Sequence, residues 1–339
     1  MRVLVTGGCG FIGSHVAKLL KQKGHQVIIV DKDALERAWT EPLGGAIMVP
    51  QDLNNDFALF YLFEKHKFDA VIHLAATSTV GESIWQPLDY WENNVGSTVN
   101  VLRLCERFNI SKFVFSSTSS VYGTVDEADL PTLETHELNA GTSYGSTKIA
   151  CEKMLRDVDR AHGIRSVSLR FFNACGAAPD ASIGEFRASP SHLMENIQAY
   201  LEGSSTQFVV NGEDYDTPDG TTIRDYTHVW DIANAHVKAL EYLDNGGTTD
   251  VFNIGAGVGK SVKEVLAEFE RQLGRTIPFV TGPRRVGDIA RNYANITKAQ
   301  QVLGWTPQYS DLQTIVSHAL AWYASPLYQE LLDEKRNQS

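Results

Sequence analysis

Tyr144 and Lys148 stand four residues apart in Tyr-Gly-Ser-Thr-Lys, so a helix through them puts phenol and ammonium on one face. An ammonium beside a phenol favours the phenolate, which gives a base usable near neutral pH. Upstream, a strand from Lys112 to Phe115 runs into Ser-Ser-Thr-Ser-Ser-Val-Tyr-Gly, and the hydroxyl of Thr118 at its end is placed to hold the same substrate oxygen. The tyrosine–lysine spacing is a weak signal by itself. The chain has 12 tyrosines, so a chance match is common, and an exposed helical pair adds only a few tenths of a kcal/mol. Its weight comes from what precedes it.

The chain opens with an apolar run, Val3 to Val5, followed by Gly7, Gly10 and Gly13 at intervals of three. An amphipathic pattern beginning at Phe11 and Ile12 continues to about Lys23, and a second apolar run, Val27 to Val30, ends in Asp31. Glycines let backbone approach a pyrophosphate, and a helix start offers free N–H groups and the positive end of a dipole. Asp31, about 20 residues beyond the turn, is placed to accept hydrogen bonds from a ribose. With both strands and the acid in place, the turn is that of a dinucleotide site rather than an ordinary tight bend.

Further apolar runs at 47–50, 70–74, 113–117 and 167–171 alternate with helical patterns near 55–66, 87–108 and 145–161. The alternation predicts an α/β fold with a doubly wound parallel sheet, its ligand crevice at the carboxyl ends of the strands. After Asn173 the texture changes. A loop rich in Gly, Ala, Pro and acid leads to helices near 191–202, 228–243, 261–273 and 312–323, and Glu334–Ser339 reads as a frayed tail. The expected division is a dinucleotide-binding domain over 1–172 and a smaller α/β substrate lobe over 173–339, with a segment near 220–250 returning to the first. The net charge of −11 argues against a nucleic-acid groove. No apolar run reaches membrane-spanning length, and a strand starting at Arg2 leaves no room for a signal peptide. Four scattered cysteines and ten dispersed histidines suggest neither disulfides nor a metal centre, and the expected compartment is the cytoplasm.

These motifs, with Asn93–Val95, resemble the extended short-chain dehydrogenases/reductases, a Rossmann-type fold. Residues 212–231, the Asn-Ile-Gly-Ala-Gly segment at 253–257 and Pro283–Asp288 narrow the resemblance to the UDP-glucose 4-epimerase family, over Arg2 to about Trp305. The resemblance implies Tyr144 as base, Lys148 as its tuner and ribose anchor, and Thr118 as the hydroxyl on the sugar 4-oxygen, where the family usually has Ser. It implies NAD held by the glycine turn (Gly7, Gly10, Phe11, Ile12, Gly13), by Asp31, Lys32, Asp52, Leu53, Leu74, Ala75, Asn93 and Phe172, and by Tyr144 and Lys148. It implies a UDP-hexose held by Asn173, His192, Leu193, Val209, Asn211, Arg224, Arg285, Asp288 and Asn292, besides Thr118 and Tyr144. Two arginines suit a diphosphate because each offers forked donors. The family also implies a homodimer through the helices near 87–108 and 145–161.

Several positions depart from the family pattern. Lys32 replaces a common Asn, Ser78 a Lys that reaches the cofactor, and Asn292 the Tyr of members restricted to sugars without an N-acetyl group. Other UDP-sugar enzymes of this fold (pentose or uronate 4-epimerases, decarboxylases, dehydratases) are the close alternatives. Ser119 and Ser120 follow Thr118 where dehydratases place Asp-Glu, and loss of water needs such an acid and base. A nucleotide-sensing protein without turnover is the alternative of another class, and the intact Tyr144–Lys148 pair argues against it. Gly-Val-Gly-Lys-Ser at 257–261 lacks the first glycine of a phosphate loop; Ser261 and Glu264 instead form a capping box. Trp85, Tyr90 and Trp91 read as helix packing.

Overall fold

In the computed structural model, which describes residues 1–33, 42–43, 45–187, 189–285 and 287–338, the first half alternates strands and helices. These are β1 (Arg2–Thr6), α1 (Phe11–Gln22), β2 (Gln26–Asp31), β3 (Ile47–Pro50), α2 (Asp56–His66), β4 (Ala70–His73), α3 (Pro87–Tyr90), α4 (Ser97–Arg107), β5 (Lys112–Thr118), α5 (Ser143–His162) and β6 (Arg165–Phe171). The second half holds β7 (Asn173–Cys175), α6 (Leu193–Leu201), β8 (Phe208–Asn211), β9 (Ile223–Arg224), β10 (Tyr226–His228), α7 (Val229–Asp244), β11 (Asp250–Ile254) and β12 (Lys260–Ser261). The chain closes with α8 (Val262–Leu273), β13 (Phe279–Gly282), β14 (Arg291–Asn292), α9 (Leu312–Tyr323) and α10 (Pro326–Gln338).

Seven strands form one parallel sheet in the order β11–β6–β5–β4–β1–β2–β3. Strands such as Val3–Val5, Ala70–Ile72 and Phe113–Phe115 are buried on both faces, which is why they are continuous apolar runs rather than alternating ones. The order reverses between β1 and β4, so connections leave on opposite faces there and open a crevice at the strand carboxyl ends. After the short strands β7–β10, the chain comes back: α7 packs on α1 and behind β5 and β6, and β11 pairs with β6. Small sheets (β10–β7, β12–β9–β14, β13–β8) stand beyond the crevice and close its other side.

Three expectations are corrected. The helical pattern at 87–108 is broken into α3, a π-helical turn at Trp91–Gly96 and α4. Of the aromatics expected to pack on helices, Tyr90 is buried and donates to the Thr79 carbonyl, but Trp85, ahead of α3, is 83% exposed. The tail is helical to Gln338, because Tyr328, Leu331 and Leu332 are buried and the Tyr328 ring stacks edge-on against Trp322; Ser339 lies outside the described residues. The capping box at Ser261 and Glu264 is present, and all four cysteines are buried outside any disulfide.

Candidate active site

Thr142 caps α5 by accepting from the Gly145 N–H, and this starts the helix one residue before Tyr144. Tyr144 and Lys148 therefore lie on its inner face, 7% and 3% exposed. Lys148 Nζ donates to the Ser116 carbonyl at 2.9 Å, lies 4.7 Å from the centre of the Phe115 ring and 5.9 Å from that of Tyr144. Burial pushes the lysine down to about 8, opposed by Cys151 and Glu152. The Tyr144 phenol is pushed up to about 12 by burial, and the hydrogen bond with Thr118 pulls the other way. This corrects the expected lowering: desolvation wins, while the ammonium is drawn to the Ser116 carbonyl. Thr118 also accepts from the Ser120 N–H at 3.1 Å, which fixes its hydroxyl at the end of β5.

At the head of the crevice Gly7 has φ +68°, and a Cβ there would sit 2.6 Å from the Ala75 nitrogen. A Cβ on Gly13 would collide with the Gly7 carbonyl, so the turn closes this tightly only with glycines. Asp31, at the end of β2, accepts from the N–H groups of Cys9 (2.9 Å) and Asp33 (3.1 Å), which locks its carboxylate across the mouth of the turn. Asp52 accepts from the Asn54 N–H, and Leu74 donates to the Thr6 carbonyl. Asn93 donates to Thr77, whose N–H and carbonyl are both held by the neighbouring Asn94.

The far wall comes from the small strands. Arg224 on β9 donates to Asp288 at 3.0 Å, and Asn211 on β8, with its amide oxygen turned toward Arg285, accepts from Nε and Nη2 at 3.2 Å. Both guanidinium groups line one cavity of about 1450 Å³. That cavity is also lined by Gly7, Gly10, Phe11, Ile12, Gly13, Asp31, Lys32, Asp52, Leu53, Leu74, Ala75, Asn93, Thr118, Tyr144, Lys148 and Phe172. On the far side it is lined by Asn173, His192, Leu193, Val209, Asn211, Asp288 and Asn292. Every residue that the resemblance implies for NAD or the UDP-hexose thus opens onto the same space; Val286, between Arg285 and Gly287, lies outside the described residues. His192 Nδ1 is 2.6 Å from Glu185, and Glu195 stands close enough for all three to share an ion. Arg187 already lies against both carboxylates, at 3.0 and 3.6 Å, and supplies the positive charge there.

The model of the NAD dependent epimerase/dehydratase family matches residues 3–255. The chain belongs to that family. It is 42% identical over 323 residues to a UDP-glucose 4-epimerase of Halalkalibacterium halodurans, covering 95% of this chain and 96% of that one. The solved UDP-glucose 4-epimerase of Brucella ovis in complex with NAD is 39% identical, with a TM-score of 0.89 over 95% of this chain and 98% of that one. The UDP-glucose 4-epimerase of Stenotrophomonas maltophila with bound NAD and formylated UDP-arabinopyranose is 37% identical, with a TM-score of 0.91 over 98% and 99%. As in other members of the NAD dependent epimerase/dehydratase family, the central sheet is a Rossmann-type one.

The crevice of this family member fits a dinucleotide on its own geometry. The backbone of the glycine turn lies bare, a fixed carboxylate stands at the end of the adjoining strand, and the first turn of α1 has N–H groups with no partner inside the helix. Sequence reasoning missed the residues that hold these groups in place. Asp225 is buried and accepts from the N–H groups of Ala256, Gly257 and Ala294, tying three loops together behind Arg224. Asn94 joins the Thr77 loop to Thr147 on α5. The one available signal was a polar residue beside a motif residue, which does not say where it points.

Proposed function

We infer that this chain is a UDP-hexose 4-epimerase that interconverts UDP-galactose and UDP-glucose with bound NAD. The observation that carries the reading is the single cavity in which the glycine turn with Asp31, the Tyr144–Thr118–Lys148 group and the two arginines meet. NAD, when bound, serves as acceptor and then donor of the hydrogen on sugar C4. The glycine turn, Asp31, Asp52 with Leu53, Leu74 with Ala75, Asn93, Lys148 and Phe172 would hold it. Asp31 would accept from the ribose hydroxyls and repel a 2′-phosphate, favouring NAD over NADP.

Arg224 and Arg285 would neutralise the diphosphate with forked hydrogen bonds. Asp288 aims Arg224 and Asn211 aims Arg285. With the nucleotide clamped, Tyr144 takes the proton of the 4-hydroxyl and Thr118 holds the 4-oxygen. The resulting planar 4-keto sugar turns over in the cavity, and Tyr144 returns the proton when the opposite face is presented. Lys148 keeps positive charge beside the phenolate. Asn292, smaller than Tyr and on the cavity wall, would admit an acetamido group, which would bring UDP-N-acetylglucosamine within the substrate range. The working molecule is read as a homodimer, supported by exposed Trp85, Leu88 and Trp91 on the segment that packs beside α5.

Incubation of the purified protein with UDP-galactose tests the reading. UDP-glucose should accumulate to an equilibrium mixture without added reductant. A dehydrated or decarboxylated product, or cofactor binding without turnover, would assign the chain to one of the alternatives.

A further inference from the structure

Beneath α5 a chain of buried polar groups joins the catalytic helix to three strands. Glu152 lies one turn beyond Lys148 and two beyond Tyr144, on the same face. Its carboxylate accepts from Ser117 Oγ at 2.6 Å and from Arg170 on β6 through Nε at 2.9 Å and Nη2 at 2.6 Å. Both members of this pair are 2% exposed. Arg170 Nη1 donates onward to the Tyr122 hydroxyl and the Glu134 carbonyl, and Tyr122 donates to Asn253 on β11.

Three consecutive residues of β5 thus meet three stacked residues of α5. Thr118 bonds Tyr144, the Ser116 carbonyl bonds Lys148, and Ser117 bonds Glu152. A buried ion pair adds little stability over apolar packing of the same volume, but it tolerates only one geometry. Of the other titratable groups around Lys148, Cys151 also pulls the lysine upward, alongside Glu152. His73 on β4 is kept neutral by burial, as is His236 on α7, which contacts Ser116 Oγ. Burial raises Cys151. The Tyr122 phenol is pushed up to about 12, and Glu134 lies beyond Arg170.

We propose that Glu152, held between Ser117 and Arg170, is a positioning residue for proton transfer: it fixes the register of α5 on β5 and keeps an anion one turn below Lys148. The proposal rests on the reading of Tyr144 as proton acceptor. Two variants of the cofactor-loaded protein test it. Ser117→Ala cuts the link to the catalytic strand and leaves the ion pair whole. Its amides in the first two turns of α5 should exchange with deuterium faster than wild type, with exchange elsewhere unchanged. Its kcat on UDP-galactose should fall about 5- to 10-fold at unchanged KM, the cost of a slightly misplaced base.

Glu152→Gln removes the anion, so Lys148 loses its proton more readily and the alkaline limb of kcat should move to lower pH. A purely structural loss would not move that limb. Wild-type exchange and kcat in Ser117→Ala, or an unmoved limb in Glu152→Gln, would overturn the proposal. Should Glu152→Gln not fold, the Ser117→Ala exchange and kinetics decide. Absence of epimerisation by the wild type would refute the functional reading instead, and the exchange comparison would still judge the positioning role.

Discussion

The hydroxyl of Tyr144 is the proposed proton acceptor, and burial pushes it up to about 12. Tyr144→Phe keeps the ring packing and removes the proton acceptor, so kcat should fall roughly 10²–10⁴-fold with UDP affinity unchanged. A variant that keeps more than about a tenth of the rate would show that another group takes the proton. Asn292, half-buried in β14 and in register with Arg224, is the residue proposed to set the substrate range. Wild-type protein should turn over UDP-N-acetylglucosamine as well as UDP-glucose. Asn292→Tyr should lower kcat/KM for the N-acetyl sugar relative to the plain one by about 10-fold or more, by filling space rather than by touching the chemistry. An unchanged ratio would show that other side chains set the limit.

Among the elements, the segment from Val80 to Gly96 behaves least as its sequence suggests. Its apolar residues satisfy a helical pattern, yet Trp85 and Leu88 are 83% and 78% exposed while Tyr90 is buried. Periodicity records which residues share a face, not whether that face meets this chain or a second copy. If the second copy covers it, the double variant Trp85→Glu with Leu88→Glu should sediment as a monomer where the wild type sediments as a dimer. Identical behaviour of the two would refute the assignment of that surface. The sheet was legible for the opposite reason: strands buried on both faces write themselves as unbroken apolar runs, and the glycine turn and Asp31 follow from backbone geometry. The end of α10 was not, because its charged tail hides the few residues, Tyr328, Leu331 and Leu332, that anchor it. The Glu152–Arg170 pair was equally hidden: only the fold reveals that α5 and β6 bring the two together.

For the whole molecule, four buried histidines set a pH limit on stability, and burial pushes one of them, His228, well down. His15 and His236 are pushed down to about 4 by burial and His73 to about 3, so all stay neutral in the folded protein. In the unfolded chain each takes a proton near pH 6.5, so below that pH the unfolded state binds more protons and folding stability declines. Between pH 6.5 and 5, above the usual carboxylate range, each should cost about 2 kcal/mol. The urea midpoint should fall steeply across that interval, and His236→Gln should make the decline shallower; a flat midpoint would contradict the neutral assignment. In the proposed reaction a hydrogen leaves sugar C4 and returns to it within one cavity, and its fate is directly measurable. UDP-galactose carrying deuterium at C4, turned over in ordinary water, should give UDP-glucose with the deuterium still at C4. Loss of the label to solvent would mean that C4 is deprotonated, and hydride transfer at this site would be refuted.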